Sequence, residues 1–232
     1  MSYRKNELTD GVILEPPAPP SATVIWLHGL GADGHDFVPI VPEFRLPNTL
    51  NIRFVFPHAR LRPVTINNGY VMRAWYDIKL TTLNRTSNKI DEDEPGIREA
   101  ENVVRNYIQR ERDAGIAANR IVIAGFSQGG AIALQTALRY PQRLAGVLAL
   151  STYLPLSGAL AGEVAKVNCD VPILMCHGRQ DTVLPLQLGE QSRDVLRTQG
   201  YQVDWREYPM AHEVCVPEIA NISAWLLKHL ET

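Results

Sequence analysis

Ile121-Val122-Ile123-Ala124-Gly125-Phe126-Ser127-Gln128-Gly129-Gly130-Ala131 is the stretch that decides the fold. Its first four residues form a continuous apolar run, as a strand buried on both faces of a sheet requires. From Gly130 onward the pattern turns helical, with small and apolar residues to position 139. Between the two, Gly125-Phe126-Ser127-Gln128-Gly129 fits a turn so tight that side chains two residues either side of the serine would collide. A serine on such a corner projects its hydroxyl at the head of a helix. Backbone N–H groups and the positive end of the helix dipole point there at developing negative charge. A chance glycine-serine turn would lack the strand before and the helix after, and that context marks Ser127 as a nucleophile.

Working outward, the same apolar strand signature recurs at 22–27, 52–56, 144–150 and 171–176, with a further strand at 202–208. Helical patterns lie between them. The clearest covers 97–113, with Ile97, Ala100, Val104, Tyr107 and Ile108 at helical spacing, Pro95 just before it and Gly115 just past it. Residues 131–139, 186–199 and 217–230 read as three more helices. Strands alternating with helices predict an α/β architecture with a mainly parallel central sheet and helices on both faces. The length of 232 residues suits one domain spanning 1–232. Within it, residues 1–20 are expected to supply an edge strand at 11–15 and a connector built on Pro16-Pro17-Ala18-Pro19-Pro20, which cannot sit inside a sheet.

In α/β hydrolases carrying this elbow, the partners of the serine follow in the order acid, then histidine. Reactive groups in open parallel sheets gather beyond the carboxyl ends of the strands. Asp170 precedes the strand at 171–176 and lies at the wrong end, whereas Asp181 follows it in His177-Gly178-Arg179-Gln180-Asp181. Asp181 is therefore the expected acid, with Asp204 and Glu207 as reserves, although a loop aspartate often caps a helix. His212 lies in a loop between strand and helix, whereas His229 sits near the end of the last helix, so His212 is the expected base. A neutral imidazole makes a serine hydroxyl nucleophilic by taking its proton. The carboxylate fixes the tautomer of that imidazole and stabilises its cation. His28-Gly29-Leu30-Gly31 ends the strand at 22–27, so the N–H groups of Leu30 and Gln128 are the candidate oxyanion donors. His28 is expected to brace that loop by hydrogen bonding.

The bulk properties exclude other classes. With 23 Lys+Arg against 25 Asp+Glu and no basic run, the chain has no electrostatic pull toward nucleic acid or anionic lipid. No apolar run is long enough to span a bilayer and no signal-peptide pattern opens the sequence, which predicts a cytoplasmic protein. Cys169, Cys176 and Cys215 are odd in number and read as free buried thiols. Cys169, Cys176 and His177 lack the paired spacing of a zinc site. Asp91-Glu92-Asp93-Glu94 has no calcium-loop glycine after it and reads as a solvated helix start. No metal and no cofactor are expected.

With these residues placed, the chain resembles the acyl-protein thioesterase, lysophospholipase and carboxylesterase family. The family's phrases stand here as 28–35 (HGLGADGH), 56–59 (FPHA), 62–65 (RPVT), 75–78 (WYDI), 125–131 (GFSQGGA), 154–156 (LPL), His177-Gly178 with Asp181, and His212. The resemblance implies an α/β-hydrolase fold without a large cap and a cofactor-free hydrolysis of carboxylic esters or thioesters. It also assigns the triad to Ser127, Asp181 and His212 and supports Leu30 and Gln128 as oxyanion donors. Three positions depart from the family pattern. Ser2 replaces a lipidatable cysteine, so no stable membrane anchor is expected; Tyr153 replaces a Trp; and Tyr76 stands where Phe is common. The stretch 67–76, containing Met72 and Trp75, is expected to be a loop forming one wall of an acyl site, with Leu30, Val183 and Leu184 opposite. The partners implied are an acylated or small-molecule substrate and, in a weak homodimer, a second copy. A peptidase or lactone hydrolase on the same fold, or a binding protein that has kept only the fold, are the alternatives.

Overall fold

The computed structural model describes residues 3–47, 49–79 and 92–231. Its centre is an eight-stranded sheet in the order β1-β2-β4-β3-β7-β8-β9-β10. The strands are β1 (Arg4–Leu8), β2 (Gly11–Glu15), β3 (Ala22–Leu27), β4 (Ile52–Pro57), β7 (Ile121–Phe126), β8 (Gly146–Leu150), β9 (Ile173–Gly178) and β10 (Val203–Tyr208). From β4 to β10 every neighbouring pair is parallel, and β2 runs antiparallel to both β1 and β4. A separate antiparallel ribbon joins β5 (Leu61–Val64) to β6 (Tyr70–Arg73). The helices are α1 (Glu94–Asp113), α2 (Gln128–Arg139), the single turn α3 (Leu160–Glu163), α4 (Leu186–Thr198) and α5 (Val216–Leu230).

Alternation along the central strands splits the core in two. Ile25 and Leu27 of β3 and Ile121 and Ile123 of β7 pack with Ile97, Val104, Leu138 and Leu196 of α1, α2 and α4. Val24, Trp26, Val122 and Ala124 face the other way, onto Phe44 and onto Ile222, Trp225 and Leu226 of α5. Both faces being covered explains why these strands read as continuous apolar runs. The chain moves outward from β3 to β4 on one side and resumes at β7 on the other. The order therefore reverses between β3 and β7, and a crevice opens beyond the carboxyl ends of those two strands. Leu30 follows β3 and Ser127 follows β7, so the topology places both on this crevice.

The structure corrects several expectations. Residues 1–20 hold two strands: β1 and β2 form a hairpin around Thr9 and Asp10, and β1, not β2, is the edge. Its sequence Arg4-Lys5-Asn6-Glu7-Leu8 has no apolar face, which suits an exposed edge that must not recruit another strand. The stretch 67–76 is not a loop throughout, because 70–73 is β6. Pro63 in β5 and the lack of a clean two-residue alternation hid the ribbon. Pro172 has no N–H to give the ladder, so β9 starts one residue after it and runs through His177 to Gly178. Helix α1 starts three residues early, at Glu94, because Asp93 caps it by accepting the Gly96 N–H at 3.1 Å. Asp93 and Glu92 are not simply solvated: the Asp93 carboxylate also takes the Asp77 N–H and the Glu92 carboxylate takes the Leu156 N–H. Asp91 lies outside the described residues. Of the three free cysteines only Cys176 is buried; Cys169 is exposed and Cys215 partly so. No helix of the described residues is long and apolar enough to cross a membrane.

Candidate active site

Ser127 has φ 53° and ψ −120°, a conformation that L side chains rarely adopt. The surrounding backbone imposes it. The Ser127 N–H donates to the Leu150 carbonyl at 2.8 Å, and the Ser127 carbonyl accepts the Thr152 hydroxyl at 2.7 Å. A Cβ on Gly125 would sit 2.3 Å from the Gly129 backbone, and one on Gly129 would sit 2.3 Å from the Leu27 carbonyl oxygen. Only glycine permits the strand end, the helix start and the β3 loop to approach so closely.

The structure brings Ser127, His212 and Asp181 into one hydrogen-bonded chain. His212 Nε2 lies 2.9 Å from Ser127 Oγ, and His212 Nδ1 lies 2.7 Å from Asp181 Oδ2. The other carboxylate oxygen accepts the Val183 and Leu184 N–H groups at 2.9 and 2.7 Å. Burial pushes the Asp181 carboxyl pKa up, but hydrogen bonds from His212 and the Leu184 N–H outweigh it and hold the group below its usual range. Asp181 is therefore an anion at neutral pH, and it fixes the His212 proton on Nδ1, leaving the Nε2 lone pair toward the serine hydroxyl. The reserve acids are engaged elsewhere: Asp204 with Arg206, and Glu207 with Arg179 and the Trp205 indole. Asp170 pairs with Arg143 before β9 begins.

One participant escaped the sequence reading. His177 is fully buried on β9; its Nε2–H donates to the Leu184 carbonyl at 2.8 Å and stands 3.6 Å from Asp181 Oδ2. Burial lowers its pKa, so it is a neutral support for the 181–184 turn. No local pattern marks it, because a four-residue spacing from a strand into a loop implies no shared face.

On the other side of Ser127, the β3 loop is held by His28. Its Nδ1–H donates to the Gly29 carbonyl at 2.7 Å and its Nε2 accepts the Ala59 N–H at 3.0 Å. Burial pulls its pKa down to about 4, so the ring is neutral and acts as the expected brace. Among the described residues no protein acceptor meets the N–H of Leu30 or of Gln128. Both remain available to an oxygen placed at the head of α2.

The four residues expected to touch substrate separate into two pairs. Met72 packs beside Gly31, where a Cβ would sit 3.6 Å from its Sδ, and Val183 is 59% exposed. Trp75 and Leu184 are instead buried. The Trp75 indole N–H donates to the His28 carbonyl at 2.9 Å, beneath the loop. Leu184 serves through its backbone, with its N–H on Asp181 and its carbonyl on His177.

The described residues contain one group with ligand atoms close enough for a metal, Asp33, His35 and His58, within 4.8 Å of one another. Hydrogen bonds account for it. The two His35 nitrogens face Asp33 and Glu7, and the His58 Nδ1 lone pair accepts the Gly34 N–H.

Comparison with known proteins places this geometry in context. A family model described as phospholipase/carboxylesterase matches residues 8–230. An acyl-protein thioesterase 1 of Neurospora crassa is 42% identical over 214 residues, 90% of this chain and 87% of that protein. Its counterpart in Yarrowia lipolytica is 37% identical over 216 residues, 91% and 93% of the two chains. Among solved structures, Arabidopsis thaliana SOBER1 superposes with a TM-score of 0.84 at 31% identity, covering 90% of this chain and 99% of that one. Zea mays acyl-protein thioesterase 2 gives 0.82 at 27% identity, covering 94% and 97%.

Proposed function

The chain belongs to the phospholipase/carboxylesterase family and is a serine hydrolase of carboxylic esters or thioesters, and from that premise we propose that Ser127 is its nucleophile, His212 its general base and Asp181 the acid that orients the base. The hydrogen-bonded chain from Ser127 Oγ through His212 to Asp181 is the observation that carries this assignment. As Ser127 Oγ attacks the acyl carbon, its proton passes to His212 Nε2 and the carbonyl electron pair moves onto oxygen, facing the Leu30 and Gln128 N–H groups. Collapse of this intermediate breaks the carbon–sulfur or carbon–oxygen bond. His212 returns the proton to the departing thiol or alcohol, leaving an acyl-Ser127 ester. Water then attacks with His212 again as base, and the acid departs.

The substrate class proposed is an acyl group carried on a protein cysteine or a small alcohol. Support comes from the relatives' names, acyl-protein thioesterase, and from Met72 beside Gly31 of the β3 loop and the exposed Val183 two residues after Asp181. A test compares kcat/KM on an S-acylated peptide, p-nitrophenyl esters and a matched peptide amide. Turnover of the first two with a negligible rate on the amide supports the proposal; efficient amide cleavage would make the protein a peptidase. The intact triad argues against a binding protein that has kept only the fold. We further propose that 1–232 is one α/β-hydrolase domain and that it forms a weak homodimer through the exposed apolar residues Leu61, Tyr70 and Val71 of the ribbon. Sedimentation showing only monomer at high concentration would remove the dimer.

A further inference from the structure

The segment from Arg73 to Tyr76, which leads out of the β5–β6 ribbon, touches both halves of the oxyanion site. The Gln128 side chain is 2% exposed and both ends of its carboxamide are engaged. Its Oε1 accepts the Trp75 N–H at 2.8 Å and its Nε2 donates to the Tyr76 carbonyl at 2.7 Å. These partners fix which end of the amide is which, since a backbone N–H needs the oxygen and a carbonyl needs the NH2. The same segment reaches the β3 loop twice: through the Trp75 indole on the His28 carbonyl, and through the Arg73 carbonyl, which accepts the Gly31 N–H at 2.9 Å. Leu30 lies between His28 and Gly31. Its N–H therefore belongs to a stretch anchored on both sides by residues 73 and 75, while the residue bearing the other N–H grips the Trp75 N–H and the Tyr76 carbonyl.

We propose that the Gln128 carboxamide and the Trp75 indole are positioning groups: they use the backbone of residues 73–76 as a strut that holds the Leu30 and Gln128 N–H groups at the separation the oxyanion needs. The two donors come from different loops of the sheet, after β3 and after β7. Electrostatic stabilisation by such donors depends on their being aimed before charge develops, so a relaxed strut weakens the transition state more than the bound substrate. A buried hydrogen bond between the Tyr76 and Tyr153 hydroxyls, 2.8 Å, anchors the far end of the strut. The proposal rests on Ser127 as nucleophile and assigns to side chains a share of a role usually credited to the backbone alone.

The test uses Gln128→Met, which keeps the volume and removes both hydrogen bonds, Gln128→Glu, which keeps the acceptor and loses the donor, and Trp75→Phe. For each, kcat and KM are measured on p-nitrophenyl butyrate well below the variant's unfolding temperature. The Ki of butylboronic acid, whose tetrahedral adduct on Ser127 places an oxygen in the hole, is measured alongside. The expected result is a fall in kcat of about tenfold or more at a KM within threefold of wild type. The boronate Ki should weaken by a similar factor, and Gln128→Glu should lie between wild type and Gln128→Met. A structural role alone would lower the unfolding temperature and leave the folded fraction's kcat and Ki unmoved, and that outcome overturns the proposal. Labelling of wild-type Ser127 by a fluorophosphonate separates the two levels. If Ser127 is not labelled the nucleophile assignment fails; if it is labelled and the variants keep their kcat, only the strut fails.

Discussion

At the residue scale, the hydrogen bonds of Ser127, His212 and Asp181 run in series. Ser127→Ala removes the attacking oxygen, so turnover should fall to a trace while the fold survives. A triad works as a unit, so adding His212→Ala should cost little more. A double variant far slower than the single would break the proposed pairing. Asp181→Asn keeps the shape and removes the charge that holds the His212 proton on Nδ1, and by analogy with other triads turnover should drop about 10⁴-fold. Near-normal turnover would pass the acid role to another carboxylate. All three residues were legible in the sequence because each sits in a position that local rules mark: a glycine-flanked corner, the loop after a strand, and a loop before the last helix. His177 was not legible in this way. Its contribution comes from being buried against the 181–184 turn, and burial of one imidazole against a particular turn is a tertiary fact.

Elements show the same division. Strands β3, β4, β7 and β8 could be read because both of their faces are buried and the apolar runs are unbroken. Strand β1 and the β5–β6 ribbon could not, because their pairing satisfies the backbone without an apolar face to mark it. The start of α1 was hidden by the acidic run before it, which looked like a solvated helix end and proved to be a cap with two bonds. Asp93→Ala should therefore destabilise the protein by about 1–3 kcal/mol in urea unfolding, for the lost cap and the orphaned Asp77 N–H. Asp93→Asn keeps one acceptor oxygen and sets its NH2 against the other N–H, so it should recover only part of the loss, and equal losses in the two variants would show that the retained acceptor contributes nothing. The ribbon carries a second prediction. Each methylene buried against Met72 and Val183 is worth about 0.8 kcal/mol, so kcat/KM on p-nitrophenyl esters should rise severalfold per two carbons until the crevice fills. The double variant Met72→Asp with Val183→Asp should flatten that profile, and an unchanged profile would remove both residues from the acyl site.

Across the whole molecule, two cores on opposite faces of one sheet leave the crevice between β3 and β7 as the place where loops from both halves meet; the strand-end rule put the reactive groups beyond the carboxyl ends from sequence, whereas the place of the crevice needed the strand order. What the sequence could not show is which polar groups the second core encloses. Glu218 of α5 is fully buried, and burial raises its pKa from 4.5 to about 8, outweighing the opposite effect of the Cys215 N–H and the Cys176 thiol. A folded-state value above the unfolded one means that the neutral acid's stabilising effect is complete below about pH 4.5 and is lost as pH rises through about 8. Glu218→Gln should abolish this loss, raising the unfolding temperature at pH 9 by on the order of 5 °C while changing little at pH 5. Equal shifts at both pH values would place the titration elsewhere. The central claim, a serine hydrolase acting through Ser127, is tested most directly by trapping the covalent intermediate. The protein is treated with a fluorophosphonate and, separately, mixed rapidly with a slowly deacylating ester and quenched in acid; intact mass and peptide mapping then locate the adduct. One adduct per chain on Ser127, absent from Ser127→Ala together with turnover, is the predicted result, whereas an adduct on another residue or undiminished turnover in Ser127→Ala would contradict the account.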